Sequence, residues 1–298
     1  MTVTSPQIPV ASFRSDRREF LLAGMGLAVA GSGVSASAGL SRAAADVAGL
    51  DRPAPARCCG VIELRQYTLH PGQRDTLIAL FERHFVETQE AEGMRLIGQF
   101  RDLDRPDRFV WLRGFADMPS RARALNAFYS GPTWKAHRSA ANATMIDSDN
   151  VLLLKPADSG SGFQESGRSR LPPDAGTSPP GLVVATIAYL DAAPDEAFKT
   201  LLAQSVLPEL ERQGACVVAR LVTEASENTF PALPVRAGEW VFVWFATYDS
   251  MVDYETHLAR LEGSARWQRE ILPDLRRRLR ADLEVLRLVP TTRSLLHG

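Results

Sequence analysis

Glu63, Arg65 and Tyr67 fall on every second position of VIELRQYTL, so a strand over this stretch places a carboxylate, a guanidinium and a phenol on one face. Arg113 stands two residues after Trp111 in RFVWLRGF, on the same face as Phe109 and Trp111, and adds a second cation beside an indole wall. Such a group can hold an anionic or enolate-like oxygen on Arg65 or Arg113 and move a proton through Tyr67, with Glu63 paired to an arginine. The same side chains can instead close into a salt-bridge network with Tyr67 hydrogen-bonded to it, because buried charges are paired whatever their role. Two histidines are further proton-transfer candidates. His84 lies on an apolar helical stripe between Phe81 and Phe85, which turns it toward the sheet. His137 follows Trp134 by three residues, but Lys135 and Arg138 beside it mark a surface.

The elements that must position these residues follow a pattern that occurs twice. FVWLRGFADM and FVWFATYDSM share an aromatic strand-like start, a Met seven residues after the Trp, and a later Trp, Trp134 or Trp267, at the same distance. Shared spacing of this kind is what duplication of a supersecondary unit leaves behind. In each copy an alternating strand precedes a helix closed by Gly93 or Gly214, then two strands, a helix and a last strand, which gives βαββαβ, the split ferredoxin-like motif. Asp117 reads as an N-cap, and Gly131 with Pro132 as an interruption before Trp134. The second copy is longer between its middle strands, within TEASENTFPALPVRAGE. The expected organisation is a signal segment at 1–45, a short linker at 46–60, a first repeat at 61–157, a flexible Gly-, Ser- and Pro-rich linker at 158–181 and a second repeat at 182–291. Two such units can cover each other's open sheet faces as an α+β barrel of eight strands, with helices outside and room inside for side chains or one small ligand.

The repeat makes each half an internal control for the other. Residues held in common, Phe109 and Phe242, Trp111 and Trp244, Leu125 and Leu258, Trp134 and Trp267, are expected to serve packing, with the Trp pair as pocket walls. Residues that differ are where function is sought. Glu63, Arg65 and Tyr67 correspond to Val184, Thr186 and Ala188, Arg113 to Ala246, His84 to Ser205 and His137 to Glu270. With Ile62 and Leu64 taken as the face packed on helices, the charged face of the first strand is expected to point into the barrel.

Four blocks, IELRQYTLHPGQ, GQFRDLDRPDRFVWLRGFADM, AFYSGPTWKAHRSAANATMIDSDNVLLLKP and NTFPALPVRAGE, resemble the bacterial NIPSNAP family. The resemblance implies the dimeric α+β barrel superfamily, whose relatives include cofactor-independent monooxygenases, haem-degrading enzymes, dye-decolourising peroxidases and chlorite dismutases. It implies no particular reaction, since a superfold says little about chemistry. Haem on His84 or His137 would suit that superfamily, although no local motif demands it and the cofactor is left unassigned.

Bulk properties narrow the classes. The chain has 34 basic and 35 acidic side chains, which argues against electrostatic binding of nucleic acid. Arg17 and Arg18 ahead of the uncharged run from Phe20 to Ser41, followed by small residues, read as a twin-arginine export signal. A periplasmic or extracellular location is expected from it, with membrane contact through that signal alone. Cys58 and Cys59 are adjacent, which strains a bond between them, and Cys216 in ACVVARL reads as a buried thiol that an oxidising compartment could instead join to one of the pair. Two readings stand: an exported small-molecule enzyme with oxygenase-like or proton-transfer chemistry in the barrel, and a non-catalytic binding or scaffolding protein with a filled interior. A homo-oligomer through exposed sheet edges is compatible with either.

Overall fold

A computed structural model describes residues 58–298 except Ser166, Arg168 and Asp174. The segment expected to be an export signal and most of the expected first linker lie outside the described residues. In the first half, β1 (Val61–Leu69) leads to α1 (Arg74–Leu80), which runs through a π-helical turn (Phe81–Phe85) into α2 (Val86–Ala91); β2 (Arg95–Asp102), β3 (Arg108–Phe115), α3 (Met118–Ser130), α4 (Pro132–Asn142), a short β4 (Met145–Asp147) and β5 (Val151–Pro156) come next. The second half repeats the order with β6 (Leu182–Leu190), α5 (Glu196–Leu201), a π-turn (Leu202–Val206), α6 (Leu207–Arg212), β7 (Cys216–Thr223), β8 (Trp240–Tyr248), α7 (Met251–Gly263), a third π-turn (Trp267–Ile271), α8 (Leu272–Arg277) and β9 (Glu284–Pro290). No described helix is long and apolar enough to cross a membrane.

Local chemistry accounts for the helix ends. The Asp117 carboxylate accepts from the Ser120 N–H at 2.7 Å, as an N-cap should, and Gly131 with Pro132 separates α3 from α4. Gly93 and Gly214 take positive φ at equivalent places, where a side chain would be strained.

The strands form one closed antiparallel ring in the order β1, β3, β2, β9, β6, β8, β7, β5 and back to β1, with β4 added beside the end of β1. The last strand of each half crosses over: β5 pairs with β7, and β9 with β2. Each half thereby completes the other's sheet. The repeat holds at the level of register, since Glu63 faces Arg113 as Val184 faces Ala246, and Arg65 faces Trp111 as Thr186 faces Trp244. Matching bulges interrupt β2 at Leu96/Gly98 and β7 at Val217/Ala219. Closure removes the free edges of the eight ring strands, so among the described residues β4 is the strand left with an edge for the expected edge-to-edge oligomer.

The inside of the ring is packed with apolar side chains from both halves, among them Ile62, Leu64, Leu112, Leu154, Ile187, Leu221, Phe245 and Leu288. A separate apolar layer lies between each half's outer sheet face and its helices. This reverses the expected facing of β1. Ile62 and Leu64 point into the barrel, and Glu63, Arg65, Tyr67 and Arg113 point outward beneath the helices.

Three other expectations change. Leu258 is exposed although its partner Leu125 is fully buried, because α7 turns Tyr254, His257 and Leu261 toward the sheet and carries Leu258 round to solvent. The linker at 158–181 is anchored where described: Phe163 enters the barrel core, and Arg170 pairs with Glu90 at 2.7 Å and bonds the Leu96 carbonyl. Cys216 is free and exposed at the start of β7, while Cys58 and Cys59 are bonded to each other.

Candidate functional site

Opposite charges that alternate on β1 and meet β3 in register must share one small space, and the sheet and helices seal it from bulk solvent. Glu63, Arg65, Arg113 and Arg121 are each 0% exposed. Glu63 Oε2 accepts from Arg65 Nη1 and Arg113 Nε, both at 2.7 Å, and Oε1 accepts from Arg121 Nε at 2.7 Å. One carboxylate thus faces three guanidiniums. Arg65 Nε also donates to the Tyr67 hydroxyl at 3.0 Å, and Arg113 Nη1 to Gln89 Oε1 of α2 at 3.0 Å. Trp111 lies between the cations, with the Arg65 and Arg113 guanidinium carbons 5.6 and 5.0 Å from its ring.

The cluster is under-satisfied. The Nη2 atoms of Arg65, Arg113 and Arg121 and the indole Nε1 of Trp111 are buried without a hydrogen-bond partner. Arginine cannot shed its proton, so the excess positive charge persists unless an anion meets it. Burial alone would raise the Glu63 carboxyl, but Arg113, Arg65 and Arg121 hold it well below the usual carboxylate range. It is ionised and fully engaged, which makes it a counterion and a poor base. Burial pushes the Tyr67 phenol up against the pull of Arg65, so it carries its proton at neutral pH and can donate it.

This arrangement makes stability depend on pH. A depressed native carboxyl contributes stability above its unfolded value and loses it as pH falls, because the unfolded chain takes up the proton first. Stability is therefore expected to decline as pH drops below 4.5, the ordinary value for Glu63. Glu87, Glu224 and Glu239 pull in the same direction through their own hydrogen bonds to or pairing with Arg293, Ser226 and Arg280, but are less buried. Urea melts at about pH 6 and about pH 3 check this, and an unchanged midpoint would contradict it.

Arg121 is not among the residues that the sequence singles out, since an arginine in a helix reads as surface. The internal comparison contains the signal nonetheless, because its counterpart is the buried Tyr254, and Gln89 likewise corresponds to Leu210. The stretch 224–239, the extra length of the second half, supplies what no comparison could. Arg121 Nη1 donates to Asn228 Oδ1 at 2.9 Å and to Thr229 Oγ1 at 3.2 Å, and Phe230 stacks on Tyr129 with centroids 5.7 Å apart.

The histidines meet each other and stand apart from the arginines. His84 sits in the π-turn and stacks on His137 of α4, with centroids 3.8 Å apart. Phe81 and Phe85 lie between them and the charged group: Phe81 packs 4.8 Å from Trp111, and Phe85 6.3 Å from His137. Burial, His137 and Arg83 lower the His84 imidazole, which favours its neutral form. No group of three or more metal-binding side chains exists among the described residues. A cleft of about 750 Å³ lies in the second half, lined by Cys216, Thr247, Asp253 and Arg260 among others, and includes none of the candidate residues.

Comparison with known proteins defines the class. A family model described as NIPSNAP matches residues 62–159, the first half. An anthrone oxidase-like protein of known structure superposes with a TM-score of 0.51 at 12% identity, covering 80% of this chain and 95% of its own. A monooxygenase-like protein of Lactobacillus acidophilus NCFM gives 0.47 at 15% identity, covering 77% and 93%. A NIPSNAP family protein of Agrobacterium tumefaciens C58 gives 0.31 at 21% identity, covering 33% and 94%. No curated protein matches the sequence. The fold is thus a mixed α+β barrel with both halves in one chain, and its first half is similar to the NIPSNAP family model.

Proposed function

We propose that the first half binds a small organic acid between its sheet and its helices. The carrying observation is the buried surplus of three arginines over one glutamate, with four donors left unpartnered. The acid's oxygens would sit on the free Nη2 atoms and the Trp111 N–H, Glu63 would hold the three guanidiniums in place, and the aromatic walls would take an apolar body. Tyr67, protonated and bonded to Arg65, is the group best placed to give a proton to an anionic or enolate-like oxygen. This keeps proton-transfer or oxygenase-like chemistry as the reading for catalysis, with the His84–His137 stack as a separate pair at the edge of the site. The second reading, binding without catalysis, is favoured by the filled barrel interior. Export by a twin-arginine route would deliver such a protein to the periplasm or beyond, and a homo-oligomer would need a surface other than the ring edges.

Thermal melts with benzoate and with benzamide test the proposal. Benzoate should raise the Tm in a concentration-dependent manner and benzamide should not, since only a ligand that prefers the native state and meets the charge stabilises it. Equal responses to both would contradict it.

A further inference from the structure

All three arginines are sealed from solvent, so a ligand reaches them only if something that covers them moves. The cover over Arg121 comes from the second half. Asn228, half-buried, and Thr229, exposed, stand on its Nη1. They belong to the stretch between β7 and β8, which has no equivalent length between β2 and β3. The strap is fixed internally, with Asn228 Oδ1 also accepting from the Phe230 N–H at 3.1 Å and Asn228 Nδ2 donating to the Leu233 carbonyl at 2.9 Å. Its far end is held by Arg236, whose N–H donates to the Val151 carbonyl at 2.9 Å and whose Nη1 donates to the Tyr189 hydroxyl at 2.9 Å.

Asn228 brings a neutral carbonyl-type oxygen to a cation that lacks a full counter-charge. A carboxylate would meet the same guanidinium more strongly, because it adds a full opposite charge and two parallel acceptor oxygens to a bond that the amide makes with one neutral oxygen. A ligand acid can therefore outcompete it. We propose that Asn228 is an internal stand-in for the ligand: the strap occupies the outer edge of Arg121 until an incoming carboxylate displaces it to enter. The inference rests on the acid-binding reading and adds to it the route of entry and the residue that regulates it.

Two variants test this with benzoate as the probe. Asn228→Asp turns the stand-in into a true counterion. It gives up the Nδ2 bond to Leu233, yet it should raise the Tm by about 3 °C and weaken benzoate binding by about tenfold or more. Asn228→Ala removes the competitor and should tighten benzoate binding with a lower Tm. If wild type binds benzoate and Asn228→Asp binds it equally well, the strap proposal is overturned and the acid site stands. If neither wild type nor Asn228→Ala binds benzoate by calorimetry, the acid site itself is overturned and the strap proposal falls with it.

Discussion

Glu63→Gln is expected to destabilise the protein by about 3–5 kcal/mol, because it removes the one carboxylate that three buried guanidiniums share. A glutamine side chain can accept hydrogen bonds, but its amide nitrogen would face a guanidinium and no charge would remain to offset three cations. Arginine has no neutral form to retreat to, unlike a buried lysine or histidine. The variant should unfold at lower urea and recover part of the loss when a binding acid is present, since the acid supplies the missing charge. Equilibrium urea melts followed by circular dichroism measure the shift, and a variant within about 1 kcal/mol of wild type would show that the cluster is hydrated and weakly coupled.

The second large effect comes from rebuilding the first half's site with the second half's residues. Glu63→Val, Arg65→Thr, Gln89→Leu, Arg113→Ala and Arg121→Tyr together install the side chains found at Val184, Thr186, Leu210, Ala246 and Tyr254, all of them buried against the equivalent helices. Replacing a buried ion cluster by packed apolar groups is often neutral or stabilising by about 1–4 kcal/mol. The five-residue variant should therefore fold with near-native stability while losing acid binding altogether. Melts and calorimetry on the same preparation separate the two properties. Loss of folding would mean that the charges are structural cement, and retained binding would place the ligand elsewhere.

These expectations rest on features legible in the sequence to different degrees. The doubled FVW strand predicts two βαββαβ units, and the structure answers it with matching registers and matching bulges. The grouping of Glu63, Arg65, Tyr67 and Arg113 is legible because period-two alternation fixes which residues share a face. Which way that face points is not. Both faces of a barrel strand are buried here, one by the opposite half and one by helices, so burial pattern alone carries no sign. Arg121 is hidden by its setting in a helix, although the same half-to-half comparison that singles out Arg113 against Ala246 also matches it to Tyr254. The π-turns at Phe81–Phe85 and Leu202–Val206 are equally hidden, since one extra residue in a turn leaves the apolar stripe nearly intact while rotating the helix beyond it. That rotation helps explain why His84 meets His137 instead of the sheet. The strap reads as a polar loop because its part in the site depends on a contact between halves that no spacing records.

The most direct test of the account is a crystal grown in sodium bromide, with anomalous differences collected at the bromine edge. The account predicts a bromide peak within hydrogen-bonding distance of the unpartnered Nη2 atoms of Arg65, Arg113 or Arg121 or of Trp111 Nε1, and none in the equivalent layer beside Val184 and Ala246. Ordered water on all four donors, with no bromide among them, would contradict it.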